Sequence, residues 1–211
     1  MINKGKFIVF EGIDGAGTTT QLGLLKQWAA ARPGRLGEFF FTQEPTDGPV
    51  GLLLRQILSK KTEAPDEKVM ALLFAADRAD HQQTILRRLN QGVHVFSDRY
   101  LLSSLAYQAL SVDQKWIQTV NQYALEPDLT FLFLIPVEEA GRRRLRTRSQ
   151  EELYEKEFFL QQVQLEYERL AHTQNKPIKI ISAQDGVDTV FQSILDVLCP
   201  FLTEKNRDGG I

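Results

Sequence analysis

Between an apolar run and a helical pattern lies Gly12-Ile13-Asp14-Gly15-Ala16-Gly17-Thr18-Thr19-Thr20, a segment of glycines and hydroxyl side chains. Gly12, Gly17 and Thr19 fit the spacing of a phosphate-binding loop: glycine, four residues, glycine, lysine, then serine or threonine. Threonine stands at the lysine position, as Thr18. In such a loop glycines let the backbone bend around a phosphate chain, so that successive N–H groups and the positive end of the next helix face the anion. Gly12 to Thr20 are therefore the expected nucleotide-phosphate cradle, with the Thr19 hydroxyl offered to magnesium. Thr18 can hydrogen-bond but carries no charge, and losing one charged partner of a buried pair costs roughly 2–5 kcal/mol unless another cation replaces it. A glycine-rich strand-to-helix turn can also be only a turn.

The elements around the loop supply the required context. Lys6–Glu11 reads as a buried parallel strand, and Leu22, Leu25, Trp28 and Ala29 recur at helical spacing after it. Four more short apolar runs read as strands: Glu38–Thr42, Val93–Ser97, Thr130–Ile135 and Ile178–Ser182. Helical patterns separate them. Val50 to Leu58 marks one helix, Val69 to Leu89 a longer one, Glu151 to His172 another, and Val187 to Leu198 the last. This alternation predicts an α/β fold, a doubly wound five-stranded parallel sheet with helices on both faces and ligands beyond the carboxyl ends of the strands. With 211 residues, 43% of them hydrophobic, and no linker or repeat, a single domain over residues 1–211 is expected, with a fraying tail from Thr203.

A formal charge of −2 offers no general attraction to nucleic acid. The one cysteine, Cys199, excludes an intramolecular disulfide and is expected to be a small buried hydrophobe. No leader is evident and no apolar run approaches a membrane span, so a cytoplasmic protein without membrane contact is expected. His81, His94 and His172 lack metal-ligand spacing.

Four further segments fall where the sheet would bring them toward the loop: Thr42 to Pro49, containing Glu44-Pro45; Leu73-Phe74-Ala75-Ala76-Asp77-Arg78; Ser97-Asp98-Arg99-Tyr100, running on to Ser103-Ser104-Leu105-Ala106-Tyr107-Gln108; and the arginine-rich stretch from Arg142 to Arg148. With the glycine loop, in this order and over nearly the whole chain, they resemble the thymidylate kinase family, bacterial type, with a variant phosphate loop. The resemblance implies a nucleoside monophosphate kinase fold with a lid around residues 142–156. It also implies magnesium-dependent transfer of the γ-phosphoryl of ATP to dTMP, giving dTDP, and commonly a homodimer.

The residue types suit those implied roles. Phe74 and Arg78 are four apart on one helix face, so a ring can stack on a flat base while the guanidinium bonds its edge. By resemblance they hold thymine; alone, they also fit a core phenylalanine and a solvated arginine. Arg99, at a strand's carboxyl end, would clamp the acceptor phosphate bidentately, and Asp98 would hold magnesium or its water. A surface ion pair is the plainer reading of that pair. By resemblance Tyr107 crowds the sugar 2′ position, Ser104 and Gln108 line the same pocket, and Asp14 contacts the 3′-hydroxyl. Tyr107 fits an ordinary helical packing position equally well. Glu44 and Pro45 match the family's Arg-Glu-Pro segment, but Gln43 replaces its arginine. Ala183, Gln184 and Asp185 lie where the family's adenine loop does.

One well-placed arginine is worth about 10³–10⁵ in phosphoryl-transfer rate, which makes the five between Arg142 and Arg148 candidates to replace the missing lysine. Arg146 and Arg148, nearest the lid tip, are the expected catalytic pair, while a solvated helix end is the plainer reading of the run. Thr18, Gln43, Leu134 and Leu153 together support an alternative, a catalytically weakened homologue that binds nucleotide as a regulatory or interaction protein. A further alternative keeps the kinase and changes the acceptor, to dUMP for example.

Overall fold

The computed structural model describes residues 4–34, 36–144, 150–173 and 177–203. The lid candidates Arg146 and Arg148, and the tail beyond Thr203, lie outside them.

Five parallel strands form one sheet in the order β2-β3-β1-β4-β5, where β1 is Phe7–Gly12, β2 Phe39–Gln43, β3 His94–Asp98, β4 Leu129–Leu134 and β5 Ile178–Ser182. This is the doubly wound sheet that the alternation predicts. The first three strands run one residue further toward their carboxyl ends than the apolar runs suggest, because main-chain pairing continues past the last apolar side chain. Phe10 is in register with Asp98, Gln43 also pairs with Asp98, and Gly12 pairs with Phe133. The ladder is prolonged by Arg99 N–H donating to the Phe10 carbonyl (2.9 Å) and Glu44 N–H to the Asp98 carbonyl (3.0 Å). Three chemically active turns are thereby held side by side at one edge of the sheet.

Both faces of β1 are closed to water. Phe7 and Val9 pack with Ile85 and Leu89 of α3 (Glu67–Asn90), while Ile8 and Phe10 join Leu22 and Leu25 of α1 (Thr18–Ala30) and Ile194 and Leu198 of α8 (Val187–Thr203). Burying each such side chain contributes about 1.5–3 kcal/mol, so the strand beneath the glycine loop is among the most firmly held parts of the molecule.

The helices read from periodicity are present: α2 (Pro49–Leu58), α3, α7 (Gln150–Thr173) and α8. Two seven-residue helices, α4 (Leu101–Tyr107) and α5 (Gln114–Val120), and a 3₁₀ turn at Gln108–Leu110 are not announced by the sequence, since fewer than two full turns give too few repeats for a periodicity to emerge. The arginine-rich run begins in α6 (Val137–Arg144). Cys199 is half-buried in α8, not the fully buried residue expected. Among the described residues no helix is long and apolar enough to cross a membrane.

Candidate active site

Gly12 is glycine for a steric reason: a Cβ there would lie 2.9 Å from the Phe133 carbonyl oxygen and 3.1 Å from the Ala16 Cβ. Gly17 adopts φ +96° as the N-cap of α1, a left-handed conformation that side chains resist, and so turns the chain into the helix with its first N–H groups facing outward. Together the loop and helix end line a cavity of about 750 Å³ bounded by residues 13–21, Arg99, Arg143 and the segment from Ala183 to Val187. The cradle read from the sequence and the turn after β5 thus share one cleft. Thr18 is buried at the start of α1.

Thr19 donates its hydroxyl to Asp98 Oδ2 (2.5 Å), and the buried Oδ1 of Asp98 has no hydrogen-bond partner. An oxygen-only pair beside a phosphate cradle suits a hard divalent cation that keeps several waters and takes its remaining ligands from substrate phosphates. Among the described residues there is no group of three or more His, Cys, Asp or Glu that could hold a metal ion.

Arg99 sits at φ +69°, its guanidinium fixed from three sides. Nη2 contacts Asp14 Oδ1 (2.8 Å), Nη1 donates to Ser103 Oγ (3.1 Å), and its carbon lies 5.3 Å from the centre of the Tyr107 ring. The Tyr107 hydroxyl in turn accepts from Asp14 N–H (3.2 Å). Burial opposes the charge on Arg99, but Tyr107, Tyr167, Asp14 and Glu11 around it outweigh burial and raise its pKa, so the group is a permanent cation. Asp14, Arg99 and Tyr107, chosen separately from the sequence, form one cluster at the cleft.

Glu44 and Arg78 are brought together behind it. Arg78 is only 2% exposed, not the solvated arginine of the plainer reading. It pairs with Glu44 Oε2 (2.9 Å) and donates to Asn121 Oδ1 (2.6 Å), Ser104 Oγ (2.9 Å) and the Tyr100 carbonyl (3.3 Å), leaving its buried Nε without a partner. His81 holds the other Glu44 oxygen (3.0 Å) and meets Thr42 Oγ1 (2.7 Å). Gln108 is buried with neither amide atom bonded. Phe74 packs partly buried against Leu54 and Ile57 of α2 and Met70 of α3, outside the 750 Å³ cleft. Ser104, Tyr107, Gln108 and Pro45 likewise do not line that cleft.

Several residues were missed. Glu11 is fully buried and accepts from Tyr100 N–H (2.9 Å), Ser103 N–H (3.2 Å), Ser103 Oγ (2.6 Å) and the Tyr167 hydroxyl (3.0 Å). A charged residue inside an apolar strand was its visible signal. Asp77 accepts from Thr46 N–H (2.8 Å) and Oγ1 (2.6 Å), fixing the connection after β2. Arg143, by contrast, is one of the five arginines expected from the sequence to replace the lysine; it lines the cleft and donates to the Ala183 carbonyl (3.0 Å). Tyr167 gave no signal, since it repeats at ordinary helical spacing with Val163 and Leu170.

A family model described as Thymidylate kinase matches residues 10–194. A probable thymidylate kinase of Methanocaldococcus jannaschii is 43% identical over 193 residues, covering 91% of this chain and 95% of the relative. Those of Thermococcus kodakarensis (40% identical; 94% and 100% covered) and Pyrococcus abyssi (38%; 91% and 95%) are similar over the same extent. The family model over residues 10–194 and these relatives over more than nine-tenths of the chain place it in the thymidylate kinase family of nucleoside monophosphate kinases.

Proposed function

We propose that the protein phosphorylates dTMP with ATP, giving dTDP and ADP, and that the residues read from the sequence carry the two substrates. The observation that supports this most is the fixed Arg99 guanidinium, held by Asp14, Ser103 and Tyr107 on the rim of the glycine cleft. A forked cation beside a phosphate cradle suits an acceptor that is itself a phosphate.

In this reading Gly12 to Thr20 bind the phosphates of ATP through main-chain N–H groups, and the turn from Ala183 to Asp185 borders its base. Thr19 and Asp98 would hold magnesium, which when bound offsets charge on the phosphates. Arg99 orients the acceptor phosphate. Asp14, beside it, orients a sugar hydroxyl, and Tyr107 closes the sugar's 2′ side. Phe74 stacks on thymine, while Arg78, Ser104 and Gln108 face its polar edge and Glu44 with Pro45 shapes the wall. The free donor on Arg78 and the two unbonded amide atoms of Gln108 are the polar groups that a base would satisfy. Arg146 and Arg148, on a lid around residues 142–156 of a single domain, supply the positive charge absent at Thr18. The protein acts as a cytoplasmic homodimer with no nucleic-acid partner.

Product analysis after incubation with magnesium-ATP and either dTMP or dUMP tests the reading. Formation of dTDP, with dUMP the poorer acceptor, is expected; binding of dTMP without any dTDP would replace it with a regulatory nucleotide binder.

A further inference from the structure

Ser103 Oγ has one proton to give and two lone pairs to fill. Its shortest contact is to Glu11 Oε2 (2.6 Å), the length of a hydroxyl donating to a carboxylate. Arg99 Nη1 occupies one lone pair (3.1 Å). The Tyr167 hydroxyl lies 2.8 Å from Ser103 Oγ and 3.0 Å from Glu11 Oε2, so whichever of them takes its one proton, serine, tyrosine and carboxylate close a triangle that holds the serine oxygen in place. Burial, then the neighbouring Glu11, raise the Tyr167 pKa, so its proton is always there to donate. Tyr167 is 1% exposed and its ring meets Tyr107 edge-on with centroids 6.2 Å apart. The Tyr107 ring is the one beneath the Arg99 guanidinium.

Tyr167 therefore supports Arg99 through two contacts, although no contact joins the two directly among the described residues. One runs by hydroxyl through Ser103, the other by ring through Tyr107. Tyr167 belongs to α7, the helix that follows the arginine-rich segment, whereas Arg99 follows β3. We propose that Tyr167 is a positioning residue for Arg99, setting the angle of its guanidinium through the Ser103 hydroxyl and thereby the affinity for an acceptor phosphate. The inference deepens the kinase reading and rests on it for the identity of that acceptor.

Tyr167→Phe keeps the ring and removes only the hydroxyl. Loss of the hydroxyl should raise KM and Kd for dTMP roughly 3- to 10-fold, with KM for ATP unchanged and Tm lower by a few degrees, since the bond to buried Glu11 is lost as well. Ser103→Ala, which removes the contact to Arg99 itself, should be at least as severe, and adding Tyr167→Phe to it should cost little more, because the tyrosine hydroxyl acts through the serine. Should Tyr167→Phe fail to fold, Tyr167→Met, which also lacks the hydroxyl and adapts to irregular core space, carries the test. A second readout needs no substrate: the side-chain ¹⁵N resonance of Arg99, assigned by its loss in Arg99→Lys, should sharpen as the guanidinium becomes free to rotate. An Arg99 signal unchanged in the Tyr167 variant overturns the positioning role, whatever Ser103→Ala and the kinetics show. A released Arg99 signal in a protein that binds dTMP no better than other nucleotides would keep the positioning role and overturn the acceptor assignment.

Discussion

Glu11 illustrates how a single charge is kept inside a core. Burial holds its carboxyl above the ordinary range, even though Ser103, Arg99 and Tyr167 each favour the charged form. A carboxyl with a raised folded pKa binds its proton more tightly in the folded chain. Its contribution to stability is therefore full below the unfolded value of 4.5 and is lost as pH rises through the folded value. Glu11→Gln cannot titrate, so the stability of the unmodified protein relative to that variant should fall across this window and then level off. Urea unfolding of both proteins between about pH 4 and about pH 8 checks the sign; a difference that grows with pH contradicts it. For Arg99, replacement by lysine keeps the charge and removes the fork, and kcat/KM for dTMP should fall roughly 10- to 100-fold while KM for ATP holds. At the phosphate loop, Thr18→Lys should leave turnover within about threefold, whereas Arg146→Ala or Arg148→Ala should lower it by about 10³ or more. A large gain from Thr18→Lys with no loss from either arginine variant would show that nothing has replaced the lysine. Steady-state kinetics distinguishes these cases.

At the scale of elements, the connection after β2 depends on α3. Asp77 grips Thr46 by main chain and side chain, while Arg55 of α2 donates to the carbonyls of Pro45 (2.5 Å) and Thr46 (3.2 Å). Asp77→Ala leaves two donors unpaired and should cost about 1–3 kcal/mol in urea unfolding. It should also raise KM for dTMP, because Glu44 and Pro45 belong to the same turn; an unchanged KM would separate that turn from the acceptor site. That one helix carries both Phe74 and Arg78 was legible from the sequence, since α3 announces itself over many turns, whereas α4, which carries Ser104 and Tyr107, is too short to do so. What α3 does with its pair was not legible. Arg78 looks solvated in the sequence, and its burial depends on Glu44, Ser104 and Asn121 arriving from other elements. The Tyr167 to Glu11 bond spans 156 positions, a separation that no local pattern encodes.

For the molecule as a whole, alternation of short apolar runs with helices was enough to read a doubly wound sheet, because a strand buried on both faces admits few other side chains. The phosphate loop was legible for a similar reason, as backbone curvature and close packing dictate Gly12 and Gly17. For the proposed association between chains the mark is fainter. Leu52, Leu53 and Leu58 on α2 and Val69 and Leu72 on α3 are between 39% and 56% exposed, on two helices packed against each other. Apolar side chains grouped in this way mark an interaction face and support the proposed homodimer. Sedimentation should find a dimer for the unmodified protein and a monomer for Leu58→Glu/Leu72→Glu; a dimer that survives both charges would place the interface elsewhere.

Phosphoryl transfer to dTMP is read out by ADP release from magnesium-ATP with and without dTMP. Turnover on the order of 1–100 s⁻¹ that requires dTMP is expected. ADP release that is absent, or that proceeds at the same rate without dTMP, would contradict it.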